Sequence, residues 1–149
     1  MAQTAERNGF RILVADPIAE AGVATLRRAG EVDVRTGLPA EELVRIIPDY
    51  DAMVVRSETK VTEPMFQAAA NLKVVARAGV GVDNIDVPAA TRHGVVVVNS
   101  PEGNTIAAAE HTVAMLLSLS RKIPGAAASL KSGEWKRSKF TGVEIQGKT

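Results

Sequence analysis

Residues 72–84 read LKVVARAGVGVDN, an apolar run that closes on an arginine and opens into a glycine loop. A short, unbroken apolar segment bounded by glycine is the pattern of a strand covered on both faces. The grammar repeats on either side. Upstream, AMVV (52–55) leads into TEPMFQAAA, with Thr62 as a cap and Pro64 in the first helical turn. EVDVR (31–35) leads into PAEELVRII, where Leu43, Ile46 and Ile47 fall at helical spacing. RILVA (11–15) leads into PIAEAGVATLRRAG, whose inward face is expected to carry Ile18, Ala21, Gly22, Thr25 and Leu26 and whose end is expected at Gly30. Downstream, LKVVA is followed by the short helix VPAATRHG, then by the run VVVV (95–98) and a long helix from about Asn104 to Arg121. Apolar strands alternating with helices predict an α/β fold, a flavodoxin-like, doubly wound parallel sheet.

The pattern changes after residue 100. NTIAAAEHTVAMLLSLSRKIP is apolar nearly all round and calls for partners on several sides. Pro124 interrupts it, and GAAASLKSGEWKRSKF leaves room for at most one more short helix. The chain closes on GVEIQGKT (142–149), which matches the phosphate-loop pattern G-x-x-x-x-G-K-[ST] letter for letter. That loop must run from a buried strand into a helix. Here a polar, lysine-rich stretch precedes Gly142, and VEIQ alternates apolar and polar as a half-buried strand does. A nucleotide hydrolase is therefore disfavoured, and Val143–Gln146 are read as a strand leading into a second domain. The second domain is expected to begin near Pro101, and the chain to stop inside it.

Composition excludes several classes. With 149 residues, 46% hydrophobic, the chain can bury a core. Its net charge of +1 gives no strong field for nucleic acid or a membrane surface. Cysteine is absent and only two histidines occur, which leaves no disulfide framework and little for zinc. MAQTAERNG lacks the apolar segment of a signal peptide, and IAAAEHTVAMLLSL, carrying Glu110 and His111, is short for a bilayer span. The expectation is a cytoplasmic protein with neither a nucleic-acid nor a membrane partner.

In an open parallel sheet, ligands bind beyond the carboxyl ends of the strands. Those positions hold Asp16 after the first run, Arg56 and Ser57 after the third, Arg77, Ala78 and Gly79 after the fourth, and Asn99, Ser100 and Pro101 after the fifth. Two arginines at one edge suit a carboxylate or phosphate, for which guanidinium offers a planar fork of donors. Either arginine alone reads as a solvated strand end; the pair beside AGVGVDN favours a ligand. GVGVDN (79–84) begins as a dinucleotide fingerprint but has Asn84 in place of the third glycine and a short helix after it. Two readings stand at Gly79 and Gly81: close approach of backbone to a ligand, or a simple turn. Asp16, before Pro17, reads as a helix cap. Asn104 and Thr105 read as caps of the long helix, and adjacent Glu110 and His111 face different ways.

Taken together, MVVRSETKVT, LKVVARAGVGVDNIDVPAATRHGVVVVNSPEGNTIAAAEHTVAMLLSLSRKIP and the closing EIQGKT resemble the D-isomer-specific 2-hydroxyacid dehydrogenases. The resemblance runs from about Arg11 to the end. It implies a two-domain enzyme with a discontinuous substrate domain, an inserted Rossmann domain and NAD as cofactor. The layout it implies is a disordered tail over 1–9, a substrate domain over 10–100 and, over 101–149, the start of the Rossmann domain truncated before its glycine fingerprint, with EIQGKT as the approach to its first strand. It implies that Arg56, Ser57, Arg77, Gly79 and Asn99 hold a small acid such as 3-phosphoglycerate. It also implies that the backbone of Val80 touches the nicotinamide end of NAD, and that the helix near 104–121 supports a homo-oligomer. The family's catalytic arginine, glutamate and histidine are expected after Thr149, so no catalytic residue is assigned here, and His93 and His111 do not match that histidine. Other acids of the family, glyoxylate, hydroxypyruvate or lactate, remain open, as does a non-catalytic acid-binding or interaction module.

Overall fold

The structure, a computed structural model, describes residues 9–148; positions 1–8 of the expected tail and Thr149 of the GKT triplet lie outside them. Two compact units divide between Gly103 and Asn104.

The first unit is built on five parallel strands, β1 (Arg11–Val14), β2 (Glu31–Val34), β3 (Ala52–Val55), β4 (Val74–Arg77) and β5 (Val96–Asn99), in the order β2-β1-β3-β4-β5. This is the flavodoxin-like order, with its topological switch between β1 and β3. Side chains alternate in period two across the sheet. Leu13, Met53, Val55 and Val75 face a core completed by α2 (Ala40–Ile46), α3 (Glu63–Ala68) and α4 (Val87–Arg92), through Leu43, Met65, Phe66, Ala89 and Ala90. Ile12, Val14, Ala52 and Val54 face the other way, toward Ile18 and Leu26 beside and within α1 (Glu20–Arg27). β3 is buried throughout because it is central and covered on both faces. At the edge, β5 leaves Val96 and Val98 exposed.

Several expectations need correction. The buried residue of α1 is Val23, while Ala21 and Thr25 face solvent. The helix begins at Glu20, three residues later than Pro17 suggests, and its inward stripe is Gly22, Val23 and Leu26. Gly30 follows the end of α1 at Arg27. Its small size is required because a Cβ there would lie 2.1 Å from the Phe10 carbonyl oxygen, which accepts from the Glu31 N–H at 2.9 Å. β4 starts two residues later than LKVVA suggests and includes Arg77. Thr62 occupies the cap position of α3 without a side-chain bond, whereas Asp86 caps α4 by accepting from the Ala89 N–H at 2.9 Å.

The second unit contains α5 (Thr105–Ser120), α6 (Ile123–Lys131) and a 3-10 turn over Arg137–Phe140. Neither helix buries a residue completely, and Ile106, Leu119 and Trp135 are largely exposed. Pro124 sits in the first turn of α6, which it can occupy because an N–H there has no helical partner to lose. Asn104 precedes α5 without capping it through its side chain. Val143–Ile145 do not form a strand. Alternation alone cannot make one without an edge to pair with; the Val143 N–H instead donates to the Ser120 carbonyl, and Gln146–Gly147 turn with Gly147 at φ 68°. The phosphate-loop letters therefore lie in irregular chain rather than between a strand and a helix.

Candidate functional site at the carboxyl edge of the sheet

Register places the edge. Val55, Arg77 and Asn99 are successive partners across β3, β4 and β5, so the loops after these strands begin side by side. Arg56 continues directly from Val55. Its guanidinium makes one long contact, 3.5 Å to the Pro17 carbonyl, and otherwise faces solvent with donors to spare. Arg77 is different: its side chain is only 12% exposed, Nε donates to the Arg56 carbonyl at 3.1 Å, and the fork lies 3.4 Å from the Asp83 carboxylate. Asp83 is itself 84% exposed, a water-screened partner that an anionic ligand can replace.

The other expected residues gather at the same edge. Asn99 donates to the Val80 carbonyl at 2.6 Å, and the Gly79 carbonyl accepts from the Ser100 N–H at 3.0 Å. Ser57 lines an open groove of about 490 Å³ together with Lys60, Val61, Thr62, Asp83 and Asn84. Neither Gly79 nor Gly81 has a positive φ, so neither is required by a left-handed backbone conformation. A Cβ on Gly81 would come within 2.8 Å of both the Arg77 guanidinium and the Asp83 carboxylate, so this glycine admits the ion pair.

Asp16 is not a helix cap. It is 1% exposed and lies at the switch point, where one carboxylate accepts the N–H groups of Arg56 (2.6 Å), Glu58 (3.3 Å) and Thr59 (3.1 Å) and the Thr59 hydroxyl (2.5 Å). Burial pushes its pKa up, but the Thr59 hydroxyl and the three N–H groups outweigh burial and hold it below the ordinary aspartate value. Asn84 answers from the other side: its amide nitrogen donates to the Arg56 carbonyl at 2.8 Å and the Thr59 carbonyl at 2.6 Å. A parallel bridge between Val61 and Ile85 fastens the two loops just beyond. Spacing along the chain gave no hint of these roles. The available signal was the strand order, since placing β1 beside β3 sets residue 16 next to residue 56.

Other features carry less chemistry. His93 lies in the turn leading to β5, stacked near Phe66, with its Nε2 3.0 Å from Glu63, which also pairs with Arg92. This exposed cluster joins α3 to α4 rather than facing the edge residues. His93 and Arg92 hold the Glu63 pKa down. In the second unit, a mainly apolar groove of about 310 Å³ is lined by Ile123, Leu130, Trp135 and Phe140, with Arg121, Glu134, Lys136 and Arg137 also on its lining. Glu110 and His111 are exposed on α5. Among the described residues, no group of three or more metal-ligating side chains occurs, and no helix is long and apolar enough to cross a membrane.

A cofactor's pyrophosphate fits this edge poorly. The Val80 carbonyl accepts one hydrogen bond, from Asn99, and keeps a second lone pair. The N-terminus of α4, where a pyrophosphate would sit, is capped by the Asp86 carboxylate, and Asn84 fills the third glycine position with a side chain already committed to two carbonyls. At most, the described residues offer a cofactor the backbone and exposed side chain of Val80.

The doubly wound sheet thus carries cationic and amide donors at its carboxyl edge, and the family follows from comparison. The chain belongs to the D-isomer specific 2-hydroxyacid dehydrogenases: the model of that family's catalytic domain matches residues 12–146. Its similar relatives include the D-3-phosphoglycerate dehydrogenases of Synechocystis sp., 56% identical over 139 residues, and of Archaeoglobus fulgidus, 56% identical over 141 residues. These matches cover 93% and 94% of this chain but 25% and 27% of the relatives, so the chain spans about a quarter of their length. Among solved structures, the TT0316 protein of Thermus thermophilus is similar at TM-score 0.81 and 30% identity, covering 93% of this chain and 46% of that one. The NAD+-bound 3-phosphoglycerate dehydrogenase of Entamoeba histolytica is similar at TM-score 0.68 and 32% identity, covering 76% and 40%.

Proposed function

We propose that this chain is the N-terminal part of an NAD-dependent D-3-phosphoglycerate dehydrogenase, which oxidises 3-phosphoglycerate to 3-phosphohydroxypyruvate at the start of L-serine biosynthesis. The observation that carries the reading is the row Val55, Arg77, Asn99, which brings Arg56, Ser57, Arg77 and Gly79 to one edge of a chain about half identical to enzymes of that name. In this reading Arg56 and Arg77 neutralise the acid, and Ser57, Asn99 and the Gly79 backbone orient it. NAD, when bound, accepts the hydride. The proposed layout is a tail over 1–9, a substrate domain over 10–100 and the first part of a Rossmann domain over 101–149. The cofactor site and the proton-transferring groups then lie outside this chain, so the chain alone is expected to be inactive. A homo-oligomer through the exposed apolar face of α5, a cytoplasmic location and the absence of nucleic-acid or membrane partners complete the proposal.

One observation favours a second reading. Asp83 already faces Arg77, which leaves Arg56 as the freer cation and suits an unphosphorylated acid such as glyoxylate, hydroxypyruvate or lactate. Comparing kcat/KM for each acid in the full-length enzyme decides between the two. The first reading expects 3-phosphoglycerate to be preferred at least about tenfold, with the preference lost in Arg56→Ala, since tenfold is about 1.4 kcal/mol. Equal or better turnover of a plain acid establishes the second.

A further inference from the structure

The turn Arg56–Thr59 is held from both sides by side chains of opposite hydrogen-bonding character. A carboxylate only accepts, and Asp16 takes the N–H groups of Arg56, Glu58 and Thr59 together with the Thr59 hydroxyl. An amide nitrogen only donates, and Asn84 spends its nitrogen on the carbonyls of Arg56 and Thr59. The arrangement fixes the direction of the peptide groups at both ends of the turn. It also leaves the Asn84 Oδ1 buried without a partner. The Ser57 N–H is the one amide of the four that Asp16 does not take.

Arg56, Ser57 and Glu58 are exposed on this turn, and of the three Arg56 and Ser57 carry side-chain donors that suit an acid. Seven residues, 56–62, join β3 to α3, and the cap position of α3 contributes no side-chain bond to restrain them. A turn left free here would have to be ordered when an acid binds, which costs affinity. We propose that Asp16 and Asn84 are positioning residues for the acid substrate, clamping Arg56–Thr59 so that the Arg56 guanidinium and Ser57 are preorganised to receive it. Neither residue needs to touch the substrate. The inference rests on the proposed reading of this edge as the acid site.

The test uses the full-length enzyme and separates KM for 3-phosphoglycerate from KM for NAD and from kcat, alongside the unfolding temperature. Asp16→Asn introduces donors where N–H groups point, and Asn84→Ala removes both carbonyl contacts. Each is expected to raise KM for the acid by about tenfold, equivalent to about 1.4 kcal/mol, with KM for NAD unchanged within about twofold. Thr59→Val, which deletes one hydroxyl bond, is expected to give a smaller rise in the same constant and decides the matter if Asp16→Asn does not fold. A lowered unfolding temperature with KM for the acid unchanged in Thr59→Val and Asn84→Ala would overturn the proposal, because the clamp would then be structural only. Arg56→Ala separates the two levels. If it raises KM for the acid and the clamp variants do not, the acid site stands and the clamp fails. If Arg56→Ala leaves KM unchanged, the reading of the edge fails, and the clamp with it.

Discussion

Arg77→Lys isolates what the shape of the guanidinium contributes, because the charge is kept while the fork is lost. In the structure Nε donates to the Arg56 carbonyl at 3.1 Å, and a guanidinium nitrogen stands 3.4 Å from Asp83. A lysine ammonium can serve one of these places and not both. A hydrogen bond from a charged donor contributes about 1.5–3 kcal/mol, and the lower end applies here because Asn84 still serves the Arg56 carbonyl, which is not orphaned. For a unit of about 100 residues, roughly 1 kcal/mol moves the unfolding temperature by about 4–8 °C. Circular dichroism melts of this chain are therefore expected to show a drop of at least about 5 °C. Loss of the fork should also weaken 3-phosphoglycerate in the full-length enzyme by about tenfold or more. A melt within about 1 °C of wild type, together with unchanged affinity, would refute both the packing role and the binding role given to Arg77.

Three further outcomes test the fold and its charges. Phe66→Ala empties a fully buried position between the sheet and α3, and chemical denaturation should report a loss of about 3–5 kcal/mol; a loss below about 1 kcal/mol would contradict its place in the core. Gly30→Ala sets a methyl 2.1 Å from the Phe10 carbonyl oxygen, so β1 and β2 must separate locally at a cost of about 1–3 kcal/mol, measurable in the same titration. Asp16 has a depressed pKa, so its contribution is present above the ordinary aspartate pKa and is lost as pH falls through about 4 and below. Wild type should accordingly lose stability in acid more steeply than Asp16→Asn, and parallel stability curves from pH 6 to 2.5 would contradict the sign.

Most of the first unit is legible in the sequence because its strands are apolar runs that end at turn residues or glycine. AMVV coincides with β3, and VVVV is shifted by only one residue. The edge residues follow from the same reading, since in a parallel sheet the residue after each run must lie on one side. Sequence reasoning failed where position depends on neighbours distant along the chain. Asp16 looks like a cap beside Pro17, yet its partners lie some forty residues away on β3's loop. Asn84 looks like a defective glycine, yet its amide is needed by two carbonyls. Val143–Gln146 has the alternation of a strand, but pairing depends on an available edge rather than on alternation alone. In α1, the face that packs on the sheet carries Val23 in place of Ala21 and Thr25, a choice made by the sheet rather than by the helix's own period.

The central claim, that the carboxyl edge of the first unit receives a small phosphorylated acid, is tested most directly by mapping amide NMR shifts of this chain while 3-phosphoglycerate is titrated in. The account predicts saturable shifts clustered at Ser57, Gly79, Val80 and Ser100, absent in the Arg56→Ala and Arg77→Ala double variant. Shifts confined to the groove around Trp135 or to Gly142–Lys148, or no saturable shifts at all, would contradict it.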